Sequence, residues 1–110
     1  MPADPDIARR KLEARRAELM QLSEQSRDDR APVALDQQSV GRLSRMDALQ
    51  RQAMSEAQER RRATELQRID VALRRIRDGD YGYCDQCGAA IAEGRLEIDP
   101  AATLCITCAR

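Results

Sequence analysis

All four cysteines of this 110-residue chain lie in two short stretches, Tyr81-Gly82-Tyr83-Cys84-Asp85-Gln86-Cys87-Gly88 and Leu104-Cys105-Ile106-Thr107-Cys108. Each stretch contains a Cys-x-x-Cys motif, and seventeen residues separate the two motifs. A two-residue spacer lets one tight knuckle supply two thiolates, and four thiolates can surround a zinc ion tetrahedrally. The spacing lies in the range typical of zinc sites, and Gly88 suits the sharp turn beside the metal. We therefore predict one structural Zn²⁺ bound by Cys84, Cys87, Cys105 and Cys108.

Other uses of the four cysteines fit the sequence less well. A redox Cys-x-x-Cys pair usually follows a strand in a βαβ unit, and no such pattern surrounds Cys84. Two disulfides would require an oxidising compartment. Catalytic zinc sites keep three protein ligands and an open position, and the chain has no histidine to act as a general base. The pattern favours a structural site and a protein that is not an enzyme.

Composition limits the size of the hydrophobic core. The chain has no Trp, no Phe and two Tyr, and 35% of its residues are charged. A small core of this kind needs a metal or disulfide staple. Residues 1–30 lack the apolar region of a secretory signal, and no apolar run is long enough to span a membrane. We expect a cytoplasmic, reducing location, and the balance of 19 basic and 19 acidic residues predicts no general affinity for nucleic acid.

The first two thirds of the sequence predict two helices. Asp4-Pro5 is a typical helix start, and an apolar seam with spacings of four and three follows. This helix should end between Ser26 and Arg30, before a turn at residues 31–36, with Asp36 as the cap of a second helix over 37–78. The seam positions are Ala8, Leu12, Arg15, Leu19 and Leu22.

Folding the helices back on each other at residues 31–36 gives apolar matches. Leu22 would lie near Met46, and Leu19 near Ala48 and Leu49. The fold class predicted is therefore mostly α, a long antiparallel helical hairpin (coiled coil) with a small C-terminal four-cysteine zinc finger. The predicted domains are an arm over 1–78 and a finger over 79–110, packed on the end of the long helix.

The end of the long helix should carry the core of the finger. Residues 56–65 are nearly all polar, and we interpret Arg60-Arg61-Arg62 as a solvated face, with a contact patch as the alternative. A stripe then resumes and should pack on the finger, before Gly79 caps the helix. We expect a β-hairpin over residues 90–98. The stripe comprises Leu66, Ile69, Leu73 and Ile76, and the residues expected beneath the metal are Ile91, Leu96, Ile98, Leu104 and Ile106.

The finger sequence resembles the DksA/TraR family of bacterial zinc-finger transcription regulators. The similarity is carried by Asp80-Tyr81-Gly82-Tyr83-Cys84-x-x-Cys87-Gly88, by Arg95-Leu96-Glu97 and Pro100, and by Leu104-Cys105-Ile106-x-Cys108. It extends more weakly along the helix that precedes the finger, and the hairpin matches the family only in architecture.

The resemblance implies a regulator that binds RNA polymerase rather than promoter DNA. Family members insert the coiled-coil arm into the secondary channel, place acidic residues of the tip near the catalytic magnesium and alter initiation. The family tip sequence Asp-x-x-Asp-x-Ala is not conserved here, and the tip candidates are Asp36 and Asp47. Arg61 and Arg68 are candidate polymerase contacts. We expect a monomer without membrane association or sequence-specific DNA binding.

The resemblance also bears on the alarmone ppGpp, which acts with longer family members through basic residues around the finger. Arg68 keeps one of these positions basic. Asp99 and Ala109 stand at two others, and the reversed charge argues against phosphate binding. We therefore expect regulation without ppGpp.

Two other classes of function remain open from the sequence. A zinc-stabilised DNA- or RNA-binding module would need basic charge and aromatic residues for stacking, which this chain lacks. A coiled-coil adaptor or homodimer would pair the Leu12–Leu22 seam between chains. Thiol oxidation with release of zinc could accompany any of these functions. The sequence leaves the target promoters and the direction of regulation undetermined.

Overall fold

The computed structural model describes residues 4–31 and 42–109, which are mostly helical. Within these ranges the helices are α1 (Pro5–Gln25), α2 (Arg27–Arg30), α3 (Arg42–Asp78) and α4 (Glu93–Ile98). The helices α1 and α3 pack side by side in antiparallel directions, and the cysteine-rich segment follows α3. The molecule measures 65 × 27 × 20 Å along its principal axes. The predicted helical hairpin with a C-terminal four-cysteine cluster is confirmed, whereas all but the first residue of the turn predicted at 31–36, Asp36 included, lies outside the described residues.

Local sequence signals set the ends of the helices. The carboxylate of Asp4 caps α1 by accepting a hydrogen bond from the Asp6 N–H at 2.9 Å, and Pro5 occupies the first turn. The helix α3 ends in a Schellman motif, in which the Gly79 N–H donates to the Ile76 carbonyl and the Asp80 N–H to the Arg75 carbonyl. Gly79 has φ 83°, which confirms its predicted capping role.

The core joins α1, α3 and the finger. One buried cluster connects α1 with the finger, and a second connects α1, α3 and the finger. The predicted stripe of α3 therefore packs on the finger as expected, but α1 shares the same contacts. The first cluster comprises Ala8, Tyr81, Ile91, Leu96 and Ala102, and the second Leu12, Leu19, Ile69, Ala72 and Ala101, with Leu66, Leu73 and Ile76 packed at their edges.

The register predicted for the hairpin is wrong. Leu19 is 1% exposed and packs in the cluster of Ile69 and Ala72, not beside Ala48 and Leu49. The helix α1 lies further toward the C-terminal end of α3, where Ile69 and Ala72 are more deeply buried than the apolar residues near the start of α3. Met46 and Leu49 are correspondingly 57% and 47% exposed.

Polar contacts hold the part of the hairpin beyond the apolar core. The Ser23 hydroxyl donates to a Glu59 carboxylate oxygen, and Arg62 donates to Ser26 Oγ at 2.8 Å and to Glu59 at 3.1 Å. The Gln52 amide donates to the Ala31 carbonyl at 3.0 Å. The sequence predicted a solvated face for Arg60-Arg61-Arg62, but the Arg62 side chain is only 14% exposed because it bridges the two helices.

The predicted β-hairpin over residues 90–98 is also wrong. Glu93–Ile98 forms α4, and the described residues contain only an isolated antiparallel bridge between Tyr83 and Ala90. A helical turn brings Leu96 into the core with Ile91 but directs Ile98 into solvent, where it is 88% exposed. Ile106, also expected beneath the metal, is 68% exposed.

Candidate metal centre

The first knuckle is shaped by hydrogen bonds of the backbone around Cys84. The Cys84 N–H donates to the Ala89 carbonyl at 2.7 Å, and the Gly88 N–H donates back to the Cys84 carbonyl at 3.0 Å. Gly88 has φ 76°, a conformation that glycine adopts without strain, as its position after the cysteine pair predicted. The knuckle thus presents the thiols of Cys84 and Cys87 on one tight loop.

The second knuckle is fastened to the first. The Asp85 N–H donates to the Thr103 carbonyl at 2.8 Å, just before the second cysteine pair. The Arg95 side chain of α4 donates to the Leu104 carbonyl at 3.2 Å. Within the knuckle, the Ala109 N–H donates to the Cys105 carbonyl at 2.9 Å. These contacts bring cysteines that are distant in sequence to one place.

The four sulfur atoms have the spacing of a tetrahedral thiolate site. They all lie within 4.8 Å of one another, and the Sγ atoms of Cys87 and Cys105 are 3.6 Å apart. Zinc–sulfur bonds of about 2.3 Å imply sulfur–sulfur distances of about 3.8 Å in a regular tetrahedron. A disulfide would need about 2.05 Å, and all four cysteines are free thiols. The geometry fits one closed, structural Zn²⁺ site.

The closely spaced thiols influence one another's protonation. Hydrogen bonds from backbone groups, first among them that of Cys105, lower the pKa of Cys84 to about 6. Hydrogen bonding with the Cys105 sulfur raises the pKa of Cys108 to about 12, because neighbouring sulfurs share protons. A metal ion removes this conflict because it stabilises all four thiolates together, and its binding therefore releases protons.

The other predicted site residues are dispersed along the molecule. Asp47 is exposed near the start of α3, about one turn before Gln52, and Asp36 lies outside the described residues. Arg61 is exposed on α3. Arg68 is paired with Asp99, whose carboxylate accepts a hydrogen bond from its guanidinium at 2.7 Å.

Sequence reasoning missed Arg75 as part of the metal centre. Its guanidinium reaches the backbone and side chain of the residues on either side of Cys84. One arginine among many on a helix carries no sequence signal of this role, because the contact depends on where the chain returns after Gly79.

Comparison with known proteins finds sequence similarity at the C-terminal end of the chain and structural similarity over almost its whole length. Residues 79–110 match the prokaryotic dksA/traR C4-type zinc finger. The RNA polymerase-binding transcription factor DksA of Escherichia coli K12 is 44% identical over 43 residues, which cover 39% of this chain and 28% of that protein. DksA of Caulobacter vibrioides NA1000 is 49% identical over 41 residues, covering 37% and 29%. The matched part therefore spans less than a third of these relatives.

A solved structure extends the similarity to the arm. Transcription factor DksA2 from Pseudomonas aeruginosa superposes with a TM-score of 0.77 at 29% identity, covering 96% of this chain and 79% of that chain. Within the described residues, no helix has the length and apolar character needed to cross a bilayer. Residues 79–110 match the DksA/TraR type of zinc finger, and the chain as a whole is similar in fold to DksA2.

Proposed function

We propose that the protein binds bacterial RNA polymerase through its secondary channel and modulates transcription initiation without ppGpp. In this proposal residues 1–78 form the arm that enters the channel, and residues 79–110 form the finger that remains outside. Cys84, Cys87, Cys105 and Cys108 hold one structural zinc. The protein acts as a monomer in the cytoplasm, where the polymerase is, and performs no catalysis of its own.

The observation that carries this proposal is the similarity to DksA2 over 96% of the chain, because it includes the arm as well as the finger. Relatives matched through the finger are named RNA polymerase-binding transcription factors. The 37-residue helix α3 supports it further, since at 1.5 Å per residue it spans about 55 Å, which gives the reach that insertion into a channel requires.

The exposed carboxylate of Asp47 is the described candidate for an acidic tip. It lies in the second turn of α3, beyond the contact between Gln52 and Ala31 that ties α3 to the end of α2. Asp36 is the other candidate from the sequence. An acid at this end of the arm could approach the catalytic magnesium while the finger stays at the opposite end.

Independence from ppGpp is supported by the pairing of Arg68 with Asp99. The side chains are 48% and 42% exposed, so a phosphate group approaching Arg68 would meet the Asp99 carboxylate at the same place. A ligand phosphate would have to displace the Asp99 carboxylate from Arg68, and it would then lie beside that negative charge. The proposal predicts that adding ppGpp leaves the effect of the wild-type protein on initiation unchanged. The Asp99→Ala variant should respond to ppGpp more than wild type does.

Site-specific photocrosslinking to purified bacterial RNA polymerase tests the proposal. A photoreactive residue at position 47 should crosslink to the subunits that line the secondary channel. The same residue at the exposed position 24 on α1 should crosslink to sites nearer the channel entrance. Zinc-loaded protein should compete with DksA for the enzyme. No binding at low-micromolar concentrations would refute the proposal and favour a coiled-coil adaptor, for which a concentration-dependent mass would be expected.

A further inference from the structure

Arg75 lies near the C-terminal end of α3 and is largely buried against the first zinc knuckle. Its side chain is 16% exposed. The Nη2 group donates to the Asp80 carbonyl at 3.1 Å and to the Tyr83 carbonyl at 2.5 Å, and Nη1 donates to Asp85 Oδ1 at 3.0 Å. One guanidinium therefore connects the long helix with two residues of the segment before the knuckle and with Asp85 inside it.

Two of these acceptors flank a cysteine of the metal centre. Tyr83 and Asp85 are the neighbours of Cys84, which is 3% exposed and is the only buried member of the four cysteines. Asp85 also donates its N–H to the Thr103 carbonyl, next to the second knuckle. Holding Tyr83 and Asp85 on α3 thus fixes the position of Cys84 and influences how the two knuckles meet.

The contact set requires arginine. A guanidinium is planar and carries five donors in a fixed fork, so it can reach two carbonyls and a carboxylate at once. The ammonium of lysine is a compact charge at the end of a flexible chain and cannot span the same acceptors in one geometry. The arrangement resembles the outer-shell hydrogen bonds that orient metal ligands in other proteins.

We propose that Arg75 is a positioning residue for the zinc site, which fastens the Cys84 knuckle to α3 and so prearranges the ligands for the metal. Zinc binding in turn stabilises the last turn of α3, because the two are linked by the same hydrogen bonds. This inference rests on the proposed ligation by the four cysteines and is independent of polymerase binding. Loss of an outer-shell partner typically lowers metal affinity by about 10- to 100-fold.

Competition for zinc against a chromophoric chelator measures this effect on the full chain. Arg75→Gln and Arg75→Lys should each lower the affinity for zinc by about 10- to 100-fold. Arg74→Gln, at the exposed neighbouring position, should stay within about twofold and is the matched control. At saturating Co²⁺ the Arg75 variants should keep the absorption bands of a four-thiolate site, because no ligand has been removed.

Unchanged affinity in the Arg75 variants would overturn the positioning role, and so would an equal loss in Arg74→Gln. If the Arg75 variants do not fold even with excess zinc, Asp85→Asn decides the question, because its carboxylate is 67% exposed and its loss leaves the backbone contacts in place. That variant should bind zinc more weakly than wild type, by less than tenfold, and wild-type affinity would overturn the proposal. A wild-type chain that binds no zinc would instead refute the ligand set, and with it the role of Arg75.

Discussion

Arg61 and Arg62 are adjacent on α3 but lie in different environments. Arg62 is 14% exposed and donates hydrogen bonds to Ser26 and Glu59 between the helices, whereas Arg61 is exposed. Position on the helix determines this difference, since successive residues point about 100° apart around a helix of 3.6 residues per turn. Two chemically identical side chains therefore have separate roles, one in stability and one available for a partner.

Substituting these two arginines should separate stability from binding. Arg62→Ala should lower the free energy of unfolding by about 1–3 kcal/mol, because it removes the hydrogen bonds of Arg62 to Glu59 and to Ser26. Arg61→Ala should change it by less than about 0.5 kcal/mol but weaken binding to polymerase severalfold. Urea denaturation and a polymerase-binding titration on both variants check this. Equal destabilisation by the two substitutions would contradict the assigned environments.

Removing a single cysteine should unfold the finger. Cys105→Ser leaves three thiolates for a four-coordinate site, so the protein loses metal-coupled folding energy. Native mass spectrometry should show loss of the bound zinc, and thermal melting should shift to lower temperature. Thr107→Ala, at an exposed position of the same knuckle, is the control and should keep its zinc. A Cys105→Ser chain that holds one zinc with unchanged melting would contradict a structural site.

At the scale of elements, the helical hairpin divides into an apolar half and a polar half. Leu12 and Leu19 are buried against α3 near the finger, and beyond them hydrogen bonds replace apolar packing. Hydrogen bonds and ion pairs that are partly or fully open to solvent contribute less to the free energy of unfolding than buried apolar side chains do. The apolar half should therefore account for most of the stability of the arm.

Truncation of Leu19 should test the apolar half. Leu19 is 1% exposed, so Leu19→Ala removes buried methyl groups and leaves a cavity, and it should cost about 2–5 kcal/mol of unfolding free energy. Met20 is 50% exposed, and Met20→Ala should cost much less. Urea denaturation with saturating zinc measures both values, and a similar cost for the two would show that α1 packs in another orientation.

The interhelical acids make the hairpin sensitive to low pH. The hydrogen bond from Ser23 lowers the pKa of Glu59, and that from Arg15 lowers the pKa of Glu65. Because each folded pKa lies below the unfolded value of about 4.3, the stabilisation is present above that pH and is lost as the pH falls through the folded pKa. Unfolding free energy should therefore decline below about pH 5.

A double substitution isolates this contribution. Glu59→Gln with Glu65→Gln should be less stable than wild type at pH 7, and its stability should fall less steeply between pH 5 and 3. Zinc is lost from both proteins at low pH, so the difference between their slopes reports the two glutamates. Equal slopes in urea denaturation would contradict this assignment.

Particular residues show how far the sequence determines these elements. The helix ends follow from Asp4, Pro5 and Gly79, and the metal cluster from the cysteine spacing, because each signal acts locally. The register of the hairpin could not be predicted by matching apolar residues. Part of the interface is polar and is formed by Ser23, Arg62 and Glu59. The sequence does not distinguish a polar residue that faces solvent from one that faces a partner helix. The β-hairpin prediction failed because Leu96 reaches the core from a helix turn as well as from a strand.

At the scale of the whole molecule, the finger and the arm share one core. Ala8 near the start of α1 packs with Tyr81, Ile91 and Leu96 of the finger, and Leu12 packs in the same cluster as Ala101. The N-terminal half of α1 is thus held by residues whose positions depend on the zinc knuckles. Loss of the metal should affect both ends of the sequence together.

Hydrogen exchange with and without zinc should reveal this coupling. Removing zinc with a chelator should increase amide exchange in residues 5–12 as well as in 81–105, because local stability depends on shared packing. Residues 23–25 lie beyond the apolar core, where Ser23 donates a hydrogen bond to Glu59 of α3, and their exchange should change less. Increased exchange confined to residues 81–105 would contradict a shared core.

If the arm acts inside RNA polymerase as proposed, the lifetime of open promoter complexes should depend on it. The measurement compares zinc-loaded wild type with Asp36→Asn and Asp47→Asn, after each has been shown to bind the enzyme. Wild type should shorten the lifetime, and one of the two substitutions should abolish this effect while leaving binding intact. A wild-type protein that binds polymerase but leaves the lifetime unchanged would refute an active tip, and one that does not bind would refute the proposed function.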